Sequence, residues 1–267
     1  MFIQWFSYLF RKSFVSSAKV CGLVLAALLL THCASTEVNP EDPDAVFQQA
    51  EESFKDERYL IAIERYRDLK NRFPYHSRAT DAELRIADAY FAQESFLEAE
   101  SSYEIFKELH PNYPKIDYVM YRIGLSYFEQ IPSNSARDLS SAHRAIDSFE
   151  TLIEKYPNSE YSEKAKSHIL DARAKLAEHE NYVATFYYER KHYLSASYRY
   201  SALLKDFPNS GYDEEALFRL GQCYSNIRMY GNARDALARL LEKYPQSPLK
   251  SEATSILEEL KGKSNTN

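Results

Sequence analysis

Ala216-Leu217-Phe218-Arg219-Leu220-Gly221-Gln222-Cys223-Tyr224, then Gly231-Asn232-Ala233-Arg234-Asp235-Ala236-Leu237, then Lys243-Tyr244-Pro245: these three pieces describe one helix hairpin. Two helices joined by a tight turn cross closely only where a side chain is small. Gly221 and Ala233, twelve residues apart, are the two crossing points. Leu217, Leu220, Tyr224 and Leu237 recur at helical spacing and fill the space around them. Pro245 ends the second helix because it lacks an amide hydrogen and disfavours helical geometry in the residue before it.

The same sentence is written five times. Ala62, Ala99, Ala145, Ala196 and Ala233 each stand twelve residues before Pro74, Pro111, Pro157, Pro208 and Pro245. Four residues after each alanine comes Tyr66, Tyr103, Phe149, Tyr200 or Leu237. The small partners on the first helices are Ala50, Ala87, Gly124, Ala184 and Gly221. Alanine-to-alanine steps of 37, 46, 51 and 37 residues mean a unit of about 34 residues with two insertions, which is the period of tetratricopeptide helix pairs. The first copy is the most degenerate, with Gln49 at an apolar position, as expected of a terminal repeat with one face in water. Only six glycines occur in 267 residues and strand-period alternation is missing. The expected fold is therefore all-α: a superhelical solenoid of five repeats closed by a C-terminal capping helix.

The first residues follow different rules. Arg11, Lys12 and Lys19 precede an apolar run, Val20 to Leu30, that is too short to span a bilayer. Such a segment is a secretory signal, expected over residues 1–32. It ends Leu30-Thr31-His32-Cys33-Ala34, which resembles the bacterial lipobox and makes Cys33 the expected lipidation site. His32 departs from the small residue usual before the cysteine, and the alternative is an ordinary cleavable signal. The basic-aromatic leader, Met1 to Lys19, is long enough that translation is open to a later start. By the same resemblance, Ala34 after the cysteine directs sorting to the outer membrane, on its periplasmic face. Several acyl chains anchor far more firmly than one.

Residues 33–43 read as a lipidated N-terminus and flexible tether, 44–158 as repeats one to three, 159–261 as an extra helical stretch with repeats four, five and the cap, and 262–267 as a disordered tail. Removing the leader takes away three basic and no acidic residues, so net charge falls from −6 to −9. An acidic body is a poor nucleic-acid binder. Cys223 is the only cysteine of the repeats, expected as a buried inert thiol. No glycine-rich phosphate loop, His-Glu-x-x-His run or Gly-x-Ser-x-Gly elbow occurs, and the histidines lack metal-ligand spacing. His168 and His179, eleven apart, could share a helix face; the reading as two solvated or partly packed side chains is preferred there to a metal site. Neither enzyme activity, metal nor cofactor is expected.

One stretch is more specific than the repeats. Leu109-His110-Pro111-Asn112-Tyr113-Pro114-Lys115-Ile116-Asp117-Tyr118-Val119-Met120-Tyr121-Arg122-Ile123-Gly124-Leu125 resembles the signature of the BamD family, outer-membrane lipoproteins of the β-barrel assembly machine. Ala172-Arg173, Lys175-Leu176-Ala177, Tyr182-Val183-Ala184, Tyr187-Tyr188 and Tyr198-Arg199 continue the likeness. Insertions at Ile131 to Ser140 and Glu160 to Leu176 fall where that family has them. The resemblance runs from about Ala45 to Leu260. It implies a scaffold that docks on the POTRA domains of the BamA-like barrel subunit and on other small Bam lipoproteins, and receives unfolded outer-membrane β-barrel proteins in its N-terminal repeats.

The residues give that role a surface. First helices line the concave face of such a solenoid, and Phe47, Phe54, Leu84, Phe91, Tyr118, Tyr121, Leu125 and Phe128 lie just off their packing stripes. A row of aromatics suits an extended strand bearing alternate apolar side chains, such as the last strand of a barrel. The plain alternative is core packing; Tyr118 and Tyr121 are expected to be exposed. Arg190, Tyr198 and Arg199 are the expected docking residues, since arginine offers a planar fork to a partner carboxylate. A solvated Arg199 paired to Glu215 or Asp206 is the alternative. The rival reading of the whole chain is another periplasmic repeat lipoprotein or adaptor coordinating envelope or peptidoglycan assembly.

Overall fold

In a computed structural model, which describes residues 39–134 and 136–264, eleven helices and no strand occur among the described residues. They are α1 (Pro43–Lys55), α2 (Tyr59–Arg72), α3 (Ser77–Ala92), α4 (Phe96–Leu109), α5 (Ile116–Glu129), α6 (Ser140–Lys155), α7 (Ser162–Glu189), α8 (Tyr193–Asp206), α9 (Asp213–Asn226), α10 (Tyr230–Lys243) and α11 (Lys250–Glu259). Each packs mainly on its neighbours in the chain, and α1 with α3, α5 with α7 and α7 with α9 also touch. That is the contact pattern of a solenoid of five hairpins with a cap. Residues 1–38, with the expected signal and Cys33, lie outside the described residues.

The small-residue crossings are realised. Ala50, Ala62, Ala87, Ala99, Ala145, Ala184, Ala196 and Ala233 are wholly buried. A Cβ on Gly124 would sit 2.6 Å from Phe149 Cε1, and one on Gly221 would sit 2.5 Å from Leu237 Cγ. Neither side chain has room for a methyl group. Tyr66, Tyr103, Phe149, Tyr200 and Leu237 fill the hairpins, and burying each stabilises by roughly 1.5–3 kcal/mol.

Every second helix stops in the same way. Phe73, His110, Tyr156, Phe207 and Tyr244 stand immediately before the prolines with ψ between 54° and 67°, outside the helical region. Each still donates its N–H to the carbonyl four residues back. The turn into the second helix repeats too: Glu57, Glu94, Lys191 and Arg228 have φ of 59°, 62°, 60° and 62°. Four non-glycine side chains thus occupy a left-handed position that glycine fills without steric cost.

The two insertions are resolved differently. Residues 131–134 and 136–139 lie outside helices where the other hairpins have a tight turn, with Leu139 buried against α6 and α7. The stretch expected ahead of repeat four is not a separate element. It runs without a break into that repeat's first helix, giving the 28-residue α7, about 42 Å long. Its sequence contains neither glycine nor proline to interrupt it. Ala165, Ala172 and Leu176 pack with α6, while Ala177 and Ala184 join the core of α8 and α9. The tail expected to be loose from Gly262 is held as far as Lys263, because Arg234 Nη1 donates to the carbonyls of Leu260 and Lys263.

Candidate peptide groove

The first helices of the three N-terminal repeats, α1, α3 and α5, share a concave groove of about 530 Å³. Phe47 and Glu51 enter it from α1, Asp81, Leu84, Arg85 and Asp88 from α3, and Asp117 and Tyr118 from α5. The loops before α5 and α7 add Tyr113, Lys115, Glu160 and Tyr161. Helical spacing explains the selection: residues 47 and 51, and 81, 84, 85 and 88, lie on single faces of α1 and α3.

The floor is an ion-pair network, one that no single motif announces. Arg85 makes a two-pronged contact with Glu51, Nε to Oε1 at 2.6 Å and Nη2 to Oε2 at 2.9 Å. The Tyr66 hydroxyl also donates to Glu51. Burial works against charge on Glu51, but the bonds from Arg85 and Tyr66 outweigh it and hold its carboxyl below the usual range. One repeat on, Asp88 is 6% exposed and accepts from Tyr103 Oη at 2.6 Å, Tyr118 Oη at 2.7 Å and Arg85 Nη1 at 3.0 Å. Arg122 Nε donates to Tyr103 Oη at 2.9 Å. Burial drives the Tyr103 and Tyr118 hydroxyls well above their ordinary pKa, with the Asp88 charge adding to it, so both stay protonated donors.

The spacing of 37 residues between Glu51 and Asp88, Tyr66 and Tyr103, and Arg85 and Arg122 is the repeat length, and that register is the signal by which sequence reading would find the network. Arginines also cover the aromatics beside it. Arg85 lies 4.0 Å from the Phe54 ring centroid, Arg122 3.6 Å from Phe91 and Arg78 4.9 Å from Phe47.

The expected groove residues therefore divide. Phe47, Leu84 and Tyr118 line the groove; Phe54 and Phe91 lie under guanidinium groups. Tyr121, expected to be exposed, is buried at 8% exposure, stacked 5.0 Å from Tyr161 with its hydroxyl on His168 Nε2. The reason is α7, whose start lays Tyr161 and His168 over that face of α5. Tyr118, also expected exposed, is half-buried, its hydroxyl spent on Asp88. Leu125 and Phe128 pack into the cluster of Phe149 and belong to the core reading.

The three docking candidates do not form one patch. Arg190 stacks on Phe186 at 3.6 Å and lies, with exposed Tyr182, on the side of α7 away from buried Ala184. Tyr198, 70% exposed, faces away from buried Ala196 on α8. Since α7 and α8 pack through those alanines, the two exposed faces point in opposite directions. Arg199 pairs with Glu180 of α7 at 3.2 Å, not with Glu215 or Asp206. Cys223 is fully buried, and burial pushes its thiol up to about 12, which makes it unreactive. Among the described residues no group of three or more His, Cys, Asp or Glu is placed to hold a metal ion, and no helix is long and apolar enough to cross a membrane.

Comparison with known proteins follows the same segment. Over residues 40–236 the chain matches the model of the YfiO family, described as outer membrane lipoprotein. It is 27% identical over 252 residues to the outer membrane protein assembly factor BamD of Neisseria gonorrhoeae, covering 88% of this chain and 94% of that one. The BamD of Vibrio cholerae is 26% identical over 239 residues, 85% and 97% of the two chains. Among solved structures, the TPR2AB domain of yeast Sti1 in complex with an Hsp90 peptide aligns over 81% of this chain and 84% of that one, with a TM-score of 0.42 and 16% identity. With the family match extending from before α1 into α10, the chain belongs to the YfiO, or BamD, family of outer membrane lipoproteins.

Proposed function

We propose that the chain is a non-catalytic scaffold for assembly of outer-membrane β-barrel proteins, held at the periplasmic face of the outer membrane by a lipid on Cys33. Its N-terminal repeats, 44–158, receive the last strand of an unfolded barrel protein, and its C-terminal portion, 159–261, docks on the POTRA region of the barrel-forming subunit. The observation that carries the reading is the concave groove across α1, α3 and α5, walled by Phe47, Leu84, Tyr113, Tyr118 and Tyr161. Helices pack 8–10 Å apart, so three in a row span about 20 Å, the length of roughly six residues of extended strand. Aromatic walls accept the alternating apolar side chains of such a strand.

Docking is assigned to Arg199, with Arg190 and Tyr198 as separate contacts on the two faces. Arg199 is exposed and its partner Glu180 only partly so, and a pair at the surface is worth about 0–1 kcal/mol. Arg199→Glu, which also sets a carboxylate beside Glu180, is the test, read together with helicity. In an affinity pull-down of the full chain from solubilised outer membranes, the barrel-forming subunit should dominate, and Arg199→Glu should deplete it several-fold without loss of helicity. A pull-down dominated by a different envelope complex would favour the rival adaptor reading instead. Undiminished capture by Arg199→Glu would move the docking surface elsewhere.

A further inference from the structure

We infer that the groove selects a cationic side chain: it takes an extended peptide in which lysine or arginine lies next to an aromatic residue. This rests on the peptide-groove reading above and names the chemistry the groove prefers. The floor is electrically settled within the fold, because Glu51 and Asp88 are both engaged by Arg85, and Asp88 by two tyrosine hydroxyls as well. The rim is not. Asp81 has the Tyr113 hydroxyl at 3.2 Å and Arg78 at 3.4 Å, but Arg78 is committed to Asp44 at 2.6 Å. Asp117 accepts from the Ser159 hydroxyl at 2.7 Å and the Tyr118 N–H at 2.9 Å, neutral donors that orient the carboxylate without cancelling its charge. Glu160 is exposed beside them, and Lys115 is the one lining cation on that side.

A second feature points the same way. Tyr118 and Tyr161, 5.7 Å apart, stand among the rim carboxylates, and a ring face attracts a cation. The rings of Phe47, Phe54 and Phe91 are covered closely by this fold's own guanidinium groups, at 4.9, 4.0 and 3.6 Å, whereas the cations nearest Tyr118 and Tyr161 stand farther off, Arg122 at 5.8 Å and Lys164 at 5.7 Å. Aromatic walls plus uncancelled carboxylates in one cavity complement a lysine or arginine flanked by an apolar side chain. They repel a carboxylate. A barrel strand seated here would therefore hold its terminal carboxylate outside the rim and present an internal basic residue to it.

The test is fluorescence anisotropy with the full chain and three C-terminally amidated nine-residue peptides of alternating aromatic pattern, differing only in a central lysine, norleucine or glutamate. Roughly tenfold tighter binding of the lysine than the glutamate peptide is expected at low salt. The ratio should shrink towards one at high salt, where screening acts over a few Å. Asp81→Asn with Glu160→Gln, checked for unchanged helicity, should shrink it likewise. Equal affinities of the lysine and glutamate peptides at low salt would overturn the charge preference while leaving the groove reading in place. No binding of any of the three peptides by folded protein would remove both.

Discussion

The first two repeats and the third are built on one hairpin geometry but filled with opposite chemistry. In the first two, a carboxylate, a tyrosine and an arginine meet: Glu51, Tyr66 and Arg85, then Asp88, Tyr103 and Arg122. In the third, Leu125, Phe149 and His168 stand in the corresponding places, His168 stacked 5.4 Å from Phe149 and 4.7 Å from Phe128. The crossing residue changes with the filling. Alanine accompanies the tyrosines, whereas glycine accompanies Phe149 and, in the fifth repeat, Leu237. The solenoid thus does not need buried charge to hold its shape. The trio of carboxylate, tyrosine and arginine occurs in the two repeats that build the groove floor, where it holds Tyr118 and the arginine-capped rings in position.

This contrast can be broken by transplanting one filling into the other. Asp88→Leu alone should cost about 3–5 kcal/mol, since it leaves Arg85 Nη1 and the Tyr103 and Tyr118 hydroxyls without their acceptor. Asp88→Leu with Tyr103→Phe and Arg122→His, which copies the third repeat, should regain part of that loss in urea unfolding, with Arg85 still held by Glu51. A triple variant no better than the single one would mean that charge is needed for the fold of the second repeat. Next in size, Gly221→Ala should destabilise by about 1–3 kcal/mol through its clash with Leu237. Ala87→Gly, on the tyrosine-filled side, should cost only about 0.5–1 kcal/mol.

Acid sharpens the same comparison. Glu51 has a folded pKa below its unfolded value, so between the two the unfolded chain binds more protons and stability rises with pH. Its contribution is complete above the unfolded value of about 4.3 and is lost as pH falls through the folded one. Thermal melts of wild type should therefore weaken below about pH 4.3, and Glu51→Gln should flatten that part of the profile. The smallest effects belong to the turns. Glu57→Gly, Glu94→Gly, Lys191→Gly and Arg228→Gly each relieve a left-handed side chain and should each stabilise by about 0.5–1 kcal/mol, as similar rises in melting midpoint.

What could be read in advance follows from these constraints. A close helix crossing admits only alanine or glycine, and a proline ends a helix wherever it falls, so both leave fixed marks at Ala233 or Pro245 whatever the rest of the sequence does. Exposure within a face is set by the next element, and that is why Tyr118 and Tyr121 differ. They lie three residues apart on α5 and Tyr161 contacts both, but Tyr121 also meets Phe149 of α6 and His168 of α7, which bury it. The docking trio illustrates the same limit. Arg190 and Tyr198 are close in sequence, yet the turn at Lys191 folds their helices back to back. The ion-pair network was written in the 37-residue register of its acids, tyrosines and arginines, but only pairing across helices reveals what that register does.

The central claim is that unfolded barrel polypeptide lies in the groove of α1, α3 and α5. It is tested most directly by placing a photo-crosslinking amino acid at Lys115, on the groove rim, and at Leu97, 64% exposed on α4 and outside that groove, then irradiating cells during barrel-protein synthesis. The account predicts crosslinks to nascent barrel proteins from position 115 and none from 97. Crosslinks from 97 with none from 115 would contradict it.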